Sequence, residues 1–378
     1  MITTAETLAT LIAFPTISAD HNDMLIRWSA ARVTEAGGRI HLMAGAKPGK
    51  VNMLASFGPE TGAGIVLSGH SDVVPVAGQA WNTDPFVLTA KGKKLYGRGS
   101  SDMKGFLAAA LSAAARADKT RLARPLHLAF SYDEEVGCLG VRDLLARLVK
   151  EKFQAEGCVI GEPTEQKVAL GHKGKLSGCI CCFGQPAHSA NPALGCNAIS
   201  LAAEMVCAAE ALQAELAATG PHDDDYPFPS TSVHIGTIKG GSVLNIVPEF
   251  CGMEFEIRNV AGDEPAALVE RLRKRAADII ARHGKGRIEI EITNEYPGLD
   301  TAERDAFARK MIEANGAPPG KIGFGTEGGL FHETLHLPVV VCGPGSIDRA
   351  HKPDEYVTQN ELDACDAFLD RVTAGLAV

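Results

Sequence analysis

Short apolar runs alternate with helical patterns in the first half of the chain. Buried strands are predicted at Ile65–Gly69, Leu126–Ser131 and Cys158–Gly161, because each is a brief apolar stretch followed by small or polar residues. The run Gly105–Arg116, dense in alanine and leucine, predicts a helix. Strands that alternate with helices are typical of an α/β fold in which helices cover both faces of a mostly parallel sheet.

The pattern changes after Gly174, where strands and helices take the order β-α-β-β-α-β of a ferredoxin-like α+β unit. The strands are predicted at Lys175–Phe183, Thr231–Ile238, Glu249–Arg258 and Arg287–Ile292, and the helices at Asn197–Ala218 and Glu264–Arg282. We therefore predict an inserted domain over residues 174–292. It interrupts a discontinuous catalytic domain made of residues 1–173 and 293–378.

The C-terminal segment is expected to return to the first domain. Asp305–Asn315 predicts a helix, Pro338–Gly345 predicts a buried strand ended by turn residues, and Glu361–Ala377 predicts a closing helix. His351 follows the buried strand, so it is expected at the same sheet edge as the polar residues that follow the earlier strands.

Composition narrows the classes of function. The 378 residues are 45% hydrophobic and 22% charged, as in ordinary globular proteins. A net charge of −9 leaves no basic stripe for nucleic acid. We see no secretory signal and no membrane-spanning apolar run. The ten scattered cysteines predict reduced thiols and a cytoplasmic location. Alternating burial on a strand explains Cys179, Cys181 and Cys182 better than metal binding does.

Six residues whose side chains can bind a metal ion or transfer a proton lie where the predicted strands end or a helix begins. They are His70, Asp102, Glu134, Glu135, Glu162 and His351. Singly, such residues are usually a structural histidine, a helix cap or solvated carboxylates. The carboxyl ends of parallel strands meet at one edge, so together they favour one site. Two imidazoles and four carboxylates can hold two zinc-like ions through a shared carboxylate, with one carboxylate left as a base.

The motifs around these residues resemble a known family. They include Ser68-Gly-His-Ser-Asp-Val-Val-Pro-Val, Tyr96-Gly-Arg-Gly-Ser-Ser-Asp-Met-Lys-Gly, Asp133-Glu-Glu-Val-Gly, Gly161-Glu-Pro-Thr and, in the inserted domain, Gly184-Gln-Pro-Ala-His-Ser. The chain is similar, over essentially its whole length, to the di-zinc metallopeptidases that include aminoacylase, glutamate carboxypeptidase, succinyl-diaminopimelate desuccinylase and acetylornithine deacetylase.

The resemblance implies a role for each residue of the site. Five would hold two divalent ions, most simply Zn²⁺ with Co²⁺ or Mn²⁺ as substitutes: His70 and Glu162 on one ion, Glu135 and His351 on the other, and Asp102 on both. Glu134 would take a proton from the attacking water and deliver it to the leaving amine. Asp72 would orient His70. The Asp102–Met103 peptide is often cis in this family.

The resemblance also assigns residues of the inserted domain. His188 would reach the active site of a neighbouring subunit and stabilise the oxyanion, which requires at least a homodimer formed through this domain. Asn245 and Arg258 would bind the substrate carboxylate, a task that suits the planar guanidinium. An ordinary loop histidine and an exposed strand charge are the alternatives for His188 and Arg258.

Three segments bear on the substrate, which the resemblance implies is a small N-acyl amino acid. Gly171-His-Lys-Gly, Ala187-His-Ser-Ala and Gly325-Thr-Glu-Gly-Gly-Leu-Phe resemble deacetylases of acetylornithine more than desuccinylases. Glu327 could pair with the cationic side chain of ornithine, or it could be a solvated loop carboxylate. We predict hydrolysis of N2-acetyl-L-ornithine. A desuccinylase, an acetylcitrulline deacetylase, a dipeptidase and a non-catalytic binding protein are the alternatives.

Overall fold

The computed structural model describes residues 2–377 as sixteen strands and nine α-helices. The strands are β1 (Arg39–Ala44), β2 (Val51–Phe57), β3 (Gly64–His70), β4 (Thr89–Lys91), β5 (Lys94–Tyr96), β6 (Leu126–Ser131), β7 (Ala155–Ile160), β8 (Ala169–His172), β9 (Lys175–Phe183), β10 (Ser232–Gly240), β11 (Phe250–Arg258), β12 (Arg287–Tyr296), β13 (Leu299–Asp300), β14 (Gly320–Ile322), β15 (Val339–Val341) and β16 (Tyr356–Thr358). The helices are α1 (Thr4–Ile12), α2 (Asp23–Glu35), α3 (Lys104–Arg116), α4 (Leu139–Lys150), α5 (Ala198–Thr219), α6 (Pro265–His283), α7 (Ala306–Asn315), α8 (Gly328–Leu335) and α9 (Gln359–Ala374).

Contacts divide the described residues into two compact units. The large unit holds the residues up to Gly171, Leu299–Ile322 and the residues from Thr326 onward. The inserted unit holds His172–Gly298 and Gly323–Gly325. The boundary predicted at residues 292 and 293 falls inside β12, which continues because Tyr296 still pairs with Lys175 of β9.

The large unit is built on a nine-stranded sheet. Its order is β1-β2-β6-β3-β7-β15-β8-β13, with β14 paired to β8. The central strands β6, β3, β7 and β15 run parallel, whereas β1, β2 and β8 pair antiparallel. The prediction of a mostly parallel sheet is thus confirmed at the centre. The carboxyl ends of β3, β6 and β7 lie side by side, which places the residues that follow them together.

Helix α3 is buried along almost its whole length. Its alanines allow close approach to neighbouring elements, while Phe106 and Leu107 are completely buried in the hydrophobic core. Helix α9 starts two residues before the predicted Glu361, because Thr358 and Glu361 form a reciprocal capping box. In residues 2–377, no helix has the length and apolar character needed to cross a membrane.

The inserted unit has the predicted β-α-β-β-α-β order. Its antiparallel sheet is ordered β10-β11-β9-β12, and a separate hydrophobic core lies between the sheet and helices α5 and α6. Burial alternates along β9, where Cys182 is buried while Cys179 and Cys181 are partly exposed. The ten cysteines are free thiols, as the sequence predicts.

Gly161 lies between β7 and Glu162, where there is no room for a side chain. A Cβ here would stand 1.9 Å from ring atoms of Phe106 in α3. We expect Gly161→Ala to lower the free energy of unfolding by about 1–3 kcal/mol, because the core is overpacked. Gly320→Ala in β14 is the matched control, since a Cβ there meets nothing within 4 Å. Equal denaturation midpoints for the two variants would contradict this packing constraint.

Candidate metal centre

The parallel strands bring four of the predicted residues to one edge of the sheet. His70 is the last residue of β3, Glu134 and Glu135 follow β6, and Glu162 follows β7. Asp102 lies two residues before α3, and its side chain does not cap the helix. The peptide between Asp102 and Met103 is cis, as the family resemblance implies.

One group of ligands contains His70, Asp102 and Glu162. One ligand atom from each lies within 4.8 Å of the others. His70 Nε2 is 3.0 Å from Asp102 Oδ1 and 3.8 Å from Glu162 Oε1. All three side chains are buried, with relative exposures of 1, 5 and 4%. Such a group could hold a cation away from bulk water.

A second group contains Asp102, Glu135 and His351 within the same 4.8 Å limit. His351 Nε2 is 3.2 Å from Asp102 Oδ2 and 3.1 Å from the Glu135 carboxylate. Asp102 is therefore common to both groups, and its two oxygens face different imidazoles. This is the arrangement that a carboxylate bridging two ions requires.

The donor set fits a pair of divalent cations. Imidazole nitrogens and carboxylate oxygens, with no thiolate in either group, suit zinc and its neighbours in the first transition series. The carboxylates are crowded, and burial raises the pKa of Glu135 and moves the pKa of Glu162 well above its usual value. Cations between these groups would offset that repulsion.

Glu134 belongs to neither ligand group. Its Oε1 accepts a hydrogen bond from the Cys138 thiol at 3.3 Å, and burial raises the pKa of Glu134 to about 8. The two adjacent glutamates make different contacts, because Glu135 pairs with His351 whereas Glu134 contacts Cys138. A half-buried carboxyl next to the ligand groups can accept and release a proton near neutral pH.

Asp72 supports the site in two ways. His70 Nδ1 donates to the backbone oxygen of Asp72 at 3.0 Å and lies 3.5 Å from its carboxylate, which leaves Nε2 with the free lone pair. The Asp72 carboxylate accepts from the backbone N–H of Glu134 at 3.1 Å and of Glu135 at 3.4 Å. Asp72 thus both orients the imidazole and fastens the loop that carries the two glutamates.

Glu327 is buried, so the alternative of a solvated loop carboxylate is wrong. Ser131 Oγ donates to its Oε1 at 2.5 Å, and Oε2 has no hydrogen-bond partner within residues 2–377. Burial raises the pKa of Glu327 to about 7. Its pairing with a substrate amine stays a prediction.

The three other predicted residues belong to the inserted unit. His188 and Asn245 are exposed on adjacent segments: His188 forms a β-bridge with Ile246, and Ser189 donates its backbone N–H to Asn245. Arg258 is partly buried, pairs with Glu256 at 3.2 Å and donates to the Tyr296 hydroxyl. It is neither free nor fully exposed.

Arg258 borders a cavity of about 350 Å³ in the inserted unit. The wall is mostly apolar and is formed by Lys173, Tyr226, Pro227, Phe228, Ser232, Arg258 and Gly323. Lys173 Nζ donates to the backbone oxygens of Phe228 and Ser230. None of these lining residues is acidic, so the cavity offers cations and carbon surface but no partner for a positive charge.

Sequence reasoning missed two buried supports of the site. Glu355 and Arg98 form an ion pair at 2.7 Å, both 1% exposed, next to Asp102. Lys50 and Asp133 form another at 2.5 Å beside the loop of Glu134. Arg98 lies in the motif that contains Asp102, and Glu355 lies four residues after His351, so their nearness in sequence to predicted ligands was the available signal.

The comparisons with known proteins agree with this geometry. Residues 66–374 match the model described as peptidase family M20/M25/M40. Acetylornithine deacetylase of Vibrio vulnificus (strain CMCP6) is 35% identical over 318 residues, covering 84% of this chain and 82% of the relative. Acetylornithine deacetylase of Pasteurella multocida (strain Pm70) is 31% identical over 371 residues, covering 96% and 95%.

Solved structures share the fold at lower identity. A metallo-carboxypeptidase of family M20 from Sulfolobus solfataricus superposes with a TM-score of 0.81 at 20% identity, covering 99% of both chains. A dinuclear metal-binding peptidase of the same family from Bacillus subtilis gives a TM-score of 0.71 at 16% identity, covering 99% of this chain and 97% of the other.

Removal of metal is expected to make stability fall as pH rises. Burial raises the pKa of Glu134 from 4.5 to about 8, and hydrogen bonds to Asp102 and Glu135 raise the pKa of His351 from 6.5 to about 10. Between pH 4.5 and about pH 10, the range that these pKa values span, the folded protein binds more protons than the unfolded chain. Its free energy of unfolding therefore decreases as the pH rises. Urea denaturation of chelator-treated protein at pH 5 to 9 should show this decrease.

Metal-loaded protein is the control for this pH series. Because bound cations replace the protons, its stability should change much less over the same range. Stability of the metal-free protein that rises with pH would contradict the electrostatic description of the centre.

Proposed function

Because this chain belongs to peptidase family M20/M25/M40, we propose that it removes the acetyl group from N2-acetyl-L-ornithine, releasing L-ornithine and acetate. Family membership makes it a metal-dependent amide hydrolase. The observation that carries the proposal is the carboxylate of Asp102, whose two oxygens face His70 and His351 while Glu134 remains outside both ligand groups. The names of relatives 31–35% identical support the substrate.

Zinc is the metal that we propose for both positions, with cobalt or manganese as substitutes. His70, Asp102 and Glu162 would hold one ion, and Asp102, Glu135 and His351 the other. When bound, such ions lower the pKa of water and polarise a carbonyl oxygen. No ligand or base of the expected set is missing, which argues against a non-catalytic role.

Glu134 would move the proton. It takes one from the attacking water and then delivers it to the leaving nitrogen, because an amine leaves readily only when protonated. Its raised pKa suits both halves of this task, since a group that titrates near the working pH can accept and donate. Asp72 keeps His70 and the Glu134 loop in place during the transfer.

Residues of the inserted unit would bind the rest of the substrate. We assign the substrate carboxylate to Asn245 and Arg258, and stabilisation of the oxyanion to His188 acting in a second copy of the chain. A homodimer through the inserted unit is supported by its edge strand β10 and by exposed apolar side chains at Ile238 and Leu244. We also propose that the enzyme acts in the cytoplasm, in arginine biosynthesis.

One observation favours a second candidate, an N-acetyl amino acid with an uncharged side chain such as acetylcitrulline. The cavity beside Arg258 has no acidic residue in its lining, and Glu327 is buried. Acetylornithine is supported instead by the unpartnered Oε2 of Glu327, a buried acceptor that an ammonium group would satisfy.

Glu134→Gln should retain metal but lose turnover. We expect kcat for acetylornithine to fall by about 10²–10⁴, the usual contribution of a general base, while elemental analysis still finds two ions per chain. Glu303→Gln, which changes an exposed carboxylate in the same way, is the control and should leave kcat unchanged. Normal turnover by Glu134→Gln would refute the base assignment.

Glu327→Gln should separate the two substrate candidates. If Glu327 pairs with the ornithine ammonium, kcat/KM for acetylornithine falls about tenfold or more, while acetylcitrulline is much less affected. Glu333→Gln, on the exposed face of α8, is the control. Equal losses on both substrates would remove Glu327 from substrate selection.

Wild-type protein should be assayed in parallel with acetylornithine, acetylcitrulline, succinyl-diaminopimelate and dipeptides. The highest kcat/KM on acetylornithine is expected. A preference for acetylcitrulline would favour the second candidate, and a preference for succinyl-diaminopimelate or dipeptides would contradict both.

A further inference from the structure

The buried carboxylate of Glu355 contacts the backbone of Asp102, the residue that is common to both ligand groups. Glu355 is 1% exposed and accepts four hydrogen bonds, which satisfies both of its oxygens. Its Oε1 accepts from the backbone N–H groups of Ser101 at 2.8 Å and Asp102 at 3.0 Å. Its Oε2 accepts from the backbone N–H of Gly99 at 3.0 Å and from Arg98 at 2.7 Å.

The same residue is joined to the second histidine ligand. Glu355 lies four residues after His351, and Gln79 Nε2 donates to the backbone oxygen of His351 at 2.9 Å. Arg98 in turn donates to Gln79 Oε1 at 2.5 Å. Its guanidinium stacks over the Trp81 ring, 5.1 Å from the ring centroid. One buried ion pair therefore connects the loop of Asp102 with the loop of His351.

The two ligand groups differ in how they are held. His70 is the last residue of β3 and Glu162 lies two residues after the end of β7, so backbone pairing in the sheet places both. Asp102 and His351 lie outside the strands, and His351 has a positive φ of 61°. The hydrogen bonds of Glu355 and Arg98 connect the segments that carry these two residues.

We propose that Glu355 is a positioning residue that sets the separation of Asp102 and His351, and so determines the affinity of the ion held by Asp102, Glu135 and His351. This rests on the proposed dinuclear centre. The other ion, held by His70, Asp102 and Glu162, depends on it less, because two of its three ligands are placed by the sheet.

The direct test is metal binding by Glu355→Gln. The amide oxygen of glutamine can accept hydrogen bonds, but its nitrogen can only donate them. One pair of N–H donors, either that of Ser101 and Asp102 or that of Gly99 and Arg98, would therefore face another donor. We expect one of the two Zn²⁺ dissociation constants, that of the ion held by Asp102, Glu135 and His351, to rise about 10–100-fold, the usual effect of losing a residue that orients a ligand. The other constant should change less than about threefold, by the same reasoning. Isothermal titration of metal-free protein measures both.

Cobalt gives an independent readout. In a Co²⁺ titration, the visible absorption of one of the two bound ions should shift or require more metal in Glu355→Gln, while that of the other ion is retained. A glutamate that only stabilised the fold would lower the melting temperature and leave both metal constants and both spectra unchanged.

Two further variants keep the test decisive. Glu156→Gln removes another half-buried glutamate, which pairs with Arg124 and Lys310 near the start of β7, at the opposite end of that strand from Glu162. It should lower stability without altering either constant. Gln79→Ala breaks the link to His351 from a partly exposed position. It should weaken the same ion selectively even if Glu355→Gln fails to fold.

The outcomes distinguish this inference from the proposed function. Wild-type protein that binds two ions and hydrolyses its substrate, with two unchanged constants in Glu355→Gln and Gln79→Ala, would overturn the positioning role alone. Wild-type protein that binds fewer than two ions would overturn the dinuclear centre beneath it.

Discussion

Electrostatic repulsion within a small buried volume is the constraint on which the site depends. Asp102, Glu134, Glu135 and Glu162 lie at one edge of the sheet, where burial alone would disfavour four negative charges. The two imidazoles partly compensate: the neighbouring side chains of His351 and His70 hold the pKa of Asp102 below its usual range despite its burial. We propose that cations supply the remaining compensation, with Asp102 shared between them.

The scaffold holds this cluster by two different means. Parallel pairing of β3 with β6 and β7 places His70, Glu162 and the start of the Glu134 loop, because backbone hydrogen bonds set the register of these strands. The loops need other support, and buried carboxylates provide it. Asp72 accepts backbone N–H groups from one loop, and Glu355 accepts them from another. Charged acceptors of this kind are stronger than neutral ones and hold the loops at fixed separations.

Much of this arrangement could be predicted from the sequence. Apolar runs ending in His70 and shortly before Glu162 predict strands whose carboxyl ends meet, and that rule alone brings distant residues together. The β-α-β-β-α-β order of the inserted unit could also be predicted, and burial alternates with period two along β9, β11 and β12. Motif resemblance added the roles that pattern alone left open.

What sequence could not predict depends on tertiary contacts. The burial of Glu327 follows from its packing beside Ser131. Nothing in the sequence Gly325–Phe331, whose last four residues begin α8, distinguishes it from a solvated segment. The strand β12 extends to Tyr296 because a partner strand continues beside it. The backbone N–H groups that donate to Glu355 lie more than 250 positions away in the chain, so the sequence around Glu355 does not reveal these contacts.

The shared carboxylate is the central claim, and a crystal structure of zinc-loaded protein with anomalous scattering from the metal tests it most directly. We expect two peaks, each about 2.0–2.2 Å from a different oxygen of Asp102, one beside His70 and Glu162 and the other beside Glu135 and His351. A single peak, or two ions of which only one contacts Asp102, would contradict the account.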